Sequence, residues 1–142
     1  MSDKSLEEFL SQFILPPRLE KIDEILKQRI SNIAIVLDHI HNPHNVSAVL
    51  RSCDAFGIQN VYVIGEAFSH TVDISLGAEK WLSIHKYESH AEGITALKKE
   101  NFSIVSLHIP DKIDSVNPQS QKTVYQISQL PLYKKLALVF GN

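Results

Sequence analysis

The sequence predicts an α/β fold: an open parallel sheet with flanking helices, preceded by a helical extension. Short apolar runs predict the strands. The first of them is continuous and does not alternate with polar residues, which is typical of a strand covered on both faces. Helical patterns separate the first three runs, and this alternation favours parallel pairing with right-handed crossovers. The predicted strands are Ile33–Leu37, Asn60–Ile64, Phe102–Leu107 and Leu136–Phe140.

Two amphipathic helices are predicted before the first strand. Ser2 or Asp3 can cap the first helix, Pro16-Pro17 is expected to end it, and the second helix begins at Arg18. The expected role of both apolar faces is packing. The face of the first helix carries Leu6, Phe9, Leu10, Phe13 and Ile14, and that of the second carries Leu19, Ile22, Ile25, Leu26 and Ile30.

Helices are also expected between the strands. Asn45–Phe56 has helical spacing, and because Cys53 lies on its apolar stripe, packing is a better prediction for this thiol than catalysis. Ser89 and Glu92 form a capping box that opens a further helix. The segment Pro110–Lys135 is polar and has little periodicity.

The chain length suits one domain with an appendage, since 142 residues fall within the usual size of a single domain. We expect a helical extension over residues 1–31 and a core over residues 32–142. With 14 basic and 16 acidic residues the net charge is −2, so any nucleic-acid site must be local. The only cysteine excludes an internal disulfide and a CxxC site. Without a signal peptide or a membrane-spanning run, the expected location is cytoplasmic, with no membrane partner.

The densest polar cluster, residues 38–45 (DHIHNPHN), follows the first predicted strand. In open parallel sheets ligands bind at the carboxyl ends of the strands, so this cluster is the leading candidate site. Arg51 lies on the helix that follows and keeps its charge in water, which suits a phosphate or carboxylate partner. A surface ion pair with Asp54, three residues further on, is an equally good interpretation.

The histidines of this cluster have an HxHxxH spacing, formed by His39, His41 and His44, that can surround a metal ion. Binuclear zinc hydrolases use a similar HxHxDH loop, but here Pro43 replaces the aspartate that would hold the second metal. Solvent-facing loop histidines are therefore the stronger interpretation, and no metal site is expected. A metal-dependent hydrolase and a non-catalytic interaction fragment stay as alternatives. Neither a dinucleotide fingerprint nor a P-loop is present.

Three segments of the chain carry distinctive patterns. Leu37–Gly57 has an acidic residue after the strand, then PHN, then an arginine six residues after the asparagine; Ser75–Leu82 reads SLGAEKWL, and Leu136–Asn142 reads LALVFGN. Together they resemble the SPOUT class of RNA methyltransferases, in particular its SpoU/TrmH branch, which methylates a ribose 2′-hydroxyl in tRNA. The first segment is similar to the first motif of this family, the second to its SxGAxKW segment, and the third to the start of its second motif. The resemblance implies a SPOUT-like α/β knot fold.

The resemblance also implies S-adenosylmethionine as cofactor, tRNA as partner with a D-loop guanosine as the target, and a homodimer for the full-length protein. Arg51 would be the catalytic residue that binds phosphate, and Asn45 would order the loop and the substrate. Leu107 and Gly141 would give backbone contacts to the adenosine side of the cofactor. The implied substrate-binding residues are His44, Ser47 and Lys80.

The sequence stops at Gly141-Asn142, inside the second motif and before the third. We expect the chain to be a fragment that lacks the knot-forming C-terminal part of the fold. A pocket walled on one side leaves most of a ligand in water, so the fragment is expected to bind the cofactor weakly and to be inactive.

Overall fold

A computed structural model describes residues 3–65, 77–107 and 125–141 of the chain. The helices are α1 (Asp3–Ser11), α2 (Pro16–Lys27), α3 (Pro43–Ala55) and α4 (His90–Lys99). The strands are β1 (Ile30–Asp38), β2 (Ile58–Ile64), β3 (Ser83–Tyr87), β4 (Ser103–Ser106) and β5 (Leu136–Gly141). Single helical turns occur at Ala78–Trp81 and Ile127–Gln129.

The five strands form one sheet in the order β3-β2-β1-β5-β4. The pairs β2/β3, β1/β5 and β4/β5 are parallel. The amide of His39, just after β1, donates to the carbonyl of Ile64 at the end of β2, so the carboxyl ends of these two strands also lie together. The predicted fold class, an open parallel sheet with flanking helices, is confirmed.

A hydrophobic cluster covers each face of the sheet at its centre, as the continuous apolar run of β1 predicts. Its residues alternate between two hydrophobic clusters, because successive side chains of a strand point to opposite faces. Ile35 and Leu37 pack on the side of α3, while Ala34 and Val36 pack on the side of Leu97 in α4. The first cluster also contains Val46, Leu50, Cys53, Val61 and Val63, and the second contains Tyr62, Ile64, Phe102 and Ala137.

The structure corrects the predicted elements in four places. Ile30, predicted on the apolar face of the second helix, is the first residue of β1, because α2 already ends at Lys27. The strand β3 was not predicted, because it is short and only partly buried, with one strongly apolar residue, Ile84. Pro16-Pro17 begins α2 instead of ending α1; proline is tolerated in the first helical turn, where its missing N–H has no partner in any case. The helix α3 begins two residues before the predicted start, at Pro43.

The chain divides into two compact units, Met1–Ile30 and Ser31–Asn142. In the first unit Leu6, Phe9 and Leu10 of α1 are 43–52% exposed, and Phe13, just after the helix, is 74% exposed. The helix α2 has no buried residue, although Leu19 and Ile22 on its apolar face are partly buried. The faces expected to pack are thus only partly covered. No helix among the described residues is long and apolar enough to cross a membrane.

Candidate functional site

The polar cluster at residues 38–45 lies at the carboxyl edge of the sheet and runs from the last residue of β1 into the first turn of α3. Asn42 is the N-cap of α3: its side-chain oxygen accepts from the amide of His44 at 2.9 Å. Pro43 follows at the first helical position, where its fixed φ suits a helix start. A cap and a proline therefore turn the chain directly from the strand end into the helix.

Arg51 and Ser47 are in contact one helical turn apart on α3. Nη1 of Arg51 donates to Oγ of Ser47 at 3.2 Å, and Ser47 is fully buried. Long side chains on a helix run back toward its N-terminus, so this contact carries the exposed guanidinium toward the strand-end loop. Ser47 is one of the predicted substrate-binding residues, and in the structure its hydroxyl contacts Arg51.

Three other predicted substrate-site residues are exposed around α3. His44 and Asn45 lie in its first turn. Lys80 lies on the single turn Ala78–Trp81, which packs against α3 and begins after Gly77 at a positive φ of 87°. Ser75 and Leu76 of the same predicted motif lie outside the described residues.

The two predicted cofactor contacts, Leu107 and Gly141, lie at the ends of the neighbouring strands β4 and β5. The amide of Leu107 donates to the carbonyl of Val139 at 3.3 Å, and its side chain is partly exposed. Gly141 is paired with Asp38 at the end of β1. Gly141 is exposed, and a Cβ at this position would lie 3.4 Å from the Asp38 carbonyl oxygen, an ordinary van der Waals contact. The structure thus brings both backbone positions to the edge from which α3 starts.

The HxHxxH interpretation is not borne out by the geometry of the described residues. Of its three histidines only His39 joins a group of potential metal ligands, with Asp38 and His90. The metal-dependent hydrolase is therefore not favoured. No local sequence pattern places His90 in this group, because the strand β3, which was not predicted, brings the start of α4 to this edge.

Cys53 is not available as a nucleophile. The side chain is 2% exposed, and burial raises the pKa of the thiol to about 11. A thiol must ionise to react, so the prediction that this cysteine packs in the core is confirmed.

Known proteins share both the sequence and this architecture. The sequence is 31% identical over 135 residues to a tRNA (guanosine(18)-2′-O)-methyltransferase of Borreliella burgdorferi, covering 94% of this chain and 57% of that protein. The crystal structure of the A. aeolicus TrmH/SpoU tRNA modifying enzyme superposes with a TM-score of 0.63 at 25% identity, over 89% of this chain and 60% of that one.

A more distant structure shares the fold alone. It is the SpoU methyltransferase AviRb from Streptomyces viridochromogenes in complex with AdoMet, with a TM-score of 0.52 at 17% identity over 80% of this chain and 42% of that one.

Residues 32–142 of the chain match the SpoU rRNA Methylase family. This range contains all of the candidate site residues described above. The chain belongs to this family.

Proposed function

We propose that the whole protein transfers a methyl group from S-adenosylmethionine to the ribose 2′-hydroxyl of a guanosine in the D-loop of tRNA. Family membership and the printed activity of the Borreliella relative support this reaction. The observation that carries the proposal is Arg51: the residue is exposed, and its guanidinium is hydrogen-bonded to Ser47 one turn back along α3, on the side of the strand-end loop.

Arg51 acts in this proposal by binding and orienting an RNA phosphate. A guanidinium gives two parallel hydrogen bonds to phosphate, which fixes the backbone beside the reacting ribose. A ribose hydroxyl is a weak nucleophile, so alignment and electrostatic help contribute most to its reaction. Arginine is not a credible base because it stays protonated in proteins, and the hydroxyl proton leaves with help from phosphate or water.

The remaining substrate contacts are assigned to exposed polar residues around α3. Asn45 and His44 would meet the RNA at the first turn of the helix, and Lys80 would do so from the turn that packs on it. Ser47 is fully buried, so we assign it a positioning role through its bond to Arg51.

The residues at the ends of β4 and β5 fit the adenosine side of S-adenosylmethionine. Leu107 offers a partly exposed apolar side chain, and Gly141 is exposed and has no side chain to cover its backbone. When bound, the cofactor supplies an electrophilic methyl group on a sulfonium. The role of this chain there is to hold the adenosine group beside α3.

We extend the proposal to a cytoplasmic homodimer. Dimerisation is supported by the resemblance to the SpoU/TrmH branch. A single cysteine, which leaves folding independent of disulfides, fits a reducing compartment where tRNA is modified.

The test is methyl transfer by the whole protein from radiolabelled S-adenosylmethionine to tRNA transcripts. Arg51→Ala should lower the rate by about 10²–10³-fold, the usual effect of removing one electrostatic contact to the reacting centre. Arg51→Lys should restore little, since an ammonium lacks the two-pronged geometry. A tRNA with a 2′-deoxy target guanosine should accept no methyl group.

Asp54→Ala is the matched control on the same helix. Under the proposal it keeps most of the activity, and the melting temperature of Arg51→Ala stays near that of the wild type, because an exposed ion pair contributes only about 0.2–1 kcal/mol. Normal methylation by Arg51→Ala together with early melting would instead support a structural ion pair and contradict the catalytic assignment.

A further inference from the structure

A second group of polar side chains, Asp38, His39 and His90, lies at the carboxyl edge of the sheet. Nδ1 of His39 lies 2.7 Å from Oδ1 of Asp38, and Nε2 of His90 lies 2.8 Å from the same oxygen and 3.0 Å from Oδ2. The two imidazole rings stack with their centres 4.8 Å apart. Two imidazole nitrogens from distant parts of the chain therefore converge on one carboxylate.

The backbone holds His39 in this arrangement. His39 has a positive φ of 47°, an uncommon conformation for a residue with a side chain, and its amide donates to Ile64 at the end of β2. Its ring lies against Gly65, where an added Cβ would come within 2.8 Å of the ring carbon Cδ2. Gly65 has a φ of 84°, and its amide donates a hydrogen bond to the carbonyl of Tyr87 at the end of β3. The position of this ring is thus fixed by the ends of β2 and β3.

His90 is placed by the close packing of α4 on β2. It is the first residue of α4, immediately after the N-cap Ser89. One turn further on, Gly93 lies so close to Ile64 that an added Cβ would be 2.7 Å from its Cδ1. Because glycine allows this approach, the start of the helix sits over the sheet edge, with His90 beside Asp38.

We propose that Asp38, His39 and His90 bind a divalent transition-metal ion of the zinc class. Two imidazoles and one carboxylate are a donor set that zinc and its neighbours favour. All three ligand atoms lie within 4.8 Å of one another. In a tetrahedral site with bonds of about 2.0–2.1 Å, neighbouring ligand atoms are about 3.4 Å apart, so the two nitrogen–carboxylate contacts of 2.7 and 2.8 Å need to lengthen by about 0.6–0.7 Å.

The arrangement also gives the ion access and an open position. The side chains of Asp38, His39 and His90 are 25%, 44% and 59% exposed, so an ion can enter from solvent and keep a water as its fourth ligand. When the ion binds, it takes the place of any proton on Nδ1 of His39 and on Nε2 of His90, the two nitrogens that face the carboxylate. Each imidazole is then neutral and carries its proton on the other ring nitrogen. This inference does not rest on the proposed methyl transfer.

The experiment measures Co²⁺ and Zn²⁺ binding to the whole protein after chelator treatment, by visible absorption of bound Co²⁺ and by Zn²⁺ competition with a chromophoric chelator. We expect one site per chain and a melting temperature that rises with Zn²⁺. His90→Ala should weaken Zn²⁺ binding at least about tenfold, as should His39→Asn, since asparagine tolerates the positive φ. Far-UV circular dichroism checks that the variants are folded.

His41→Ala is the matched control, an exposed histidine of the same loop that does not belong to the group. It should bind Zn²⁺ as the wild type does. Equal binding by His90→Ala and the wild type would overturn the proposal. It would equally be overturned by a loss in His41→Ala as large as that in His90→Ala, which would point to the HxHxxH loop instead.

Discussion

Cys53 shows how burial decides the chemistry of one residue. Its thiol has a pKa raised from its ordinary value of 9.0 to about 11, because burial disfavours the thiolate. We expect a disulfide reagent at pH 8 to modify the native protein at least about 100-fold more slowly than the urea-unfolded chain, since only opening exposes the sulfur. The measurement is the rate of absorbance change with and without urea.

The control for this prediction is Ser52→Cys in a Cys53→Ala background, which puts a thiol at the neighbouring, exposed position of α3. That thiol should react in the native state. The same pKa shift determines how the free energy of unfolding depends on pH. The unfolded thiol ionises near pH 9 and the native thiol near pH 11, so ionisation favours the unfolded chain between these two values. The contribution of the buried thiol to stability is therefore complete below pH 9 and is lost as the pH rises toward 11. Fast native-state labelling of Cys53 would contradict its burial.

At the same scale, sequence patterns predicted which residues share one element but not which meet across elements. The burial of Cys53 follows from helical spacing with Val46 and Leu50. Asp38 and His90 are 52 residues apart and meet only through the sheet edge, so no local pattern joins them. The hydrogen bond from Arg51 to Ser47 spans one turn within the predicted helix Asn45–Phe56, so helix geometry alone allows it to be predicted.

At the scale of elements, α4 depends on its N-cap. Oγ of Ser89 accepts from the amide of Glu92 at 3.3 Å, which satisfies one of the free N–H groups of the first turn. Ser89→Ala should therefore lower the free energy of unfolding by about 1 kcal/mol, measured as a shift of the urea midpoint at unchanged slope. Ser89→Asp, which retains a capping oxygen, should be close to the wild type. Equal midpoints for the alanine and wild-type proteins would show that the cap contributes nothing.

The elements that the sequence predicted correctly are those with a strong local signal. Buried central strands such as β1 contain continuous apolar runs, and the capping box of Ser89 and Glu92 predicts the start of α4. The strand β3 lies at the edge of the sheet and is only partly buried, so its sequence SIHKY carries neither a continuous apolar run nor a clear alternation. Its stability comes from pairing with β2, which is a tertiary contact and leaves little trace in local composition.

At the scale of the whole molecule, the hydrophobic core belongs to one of the two units. Every buried member of its two clusters lies between Ala34 and Ala137, and β1 contributes to both. Leu37 is fully buried in the middle of this arrangement. Leu37→Ala should therefore lower the free energy of unfolding by about 2–5 kcal/mol, through lost burial and the cavity left behind.

Removal of residues 1–28 should have a much smaller effect, because it leaves β1 and both clusters intact. We expect the shortened chain to unfold in one cooperative transition, with a melting temperature within a few degrees of the original. A change of about 1 kcal/mol in the free energy of unfolding shifts the melting temperature by only about 2–8 °C. Amide hydrogen exchange should show the same protection in β1, β2 and β5 as before. Loss of this protection in the shortened chain would contradict the prediction. It would mean that the N-terminal helices fold cooperatively with the sheet and that their apolar residues contribute to its stability.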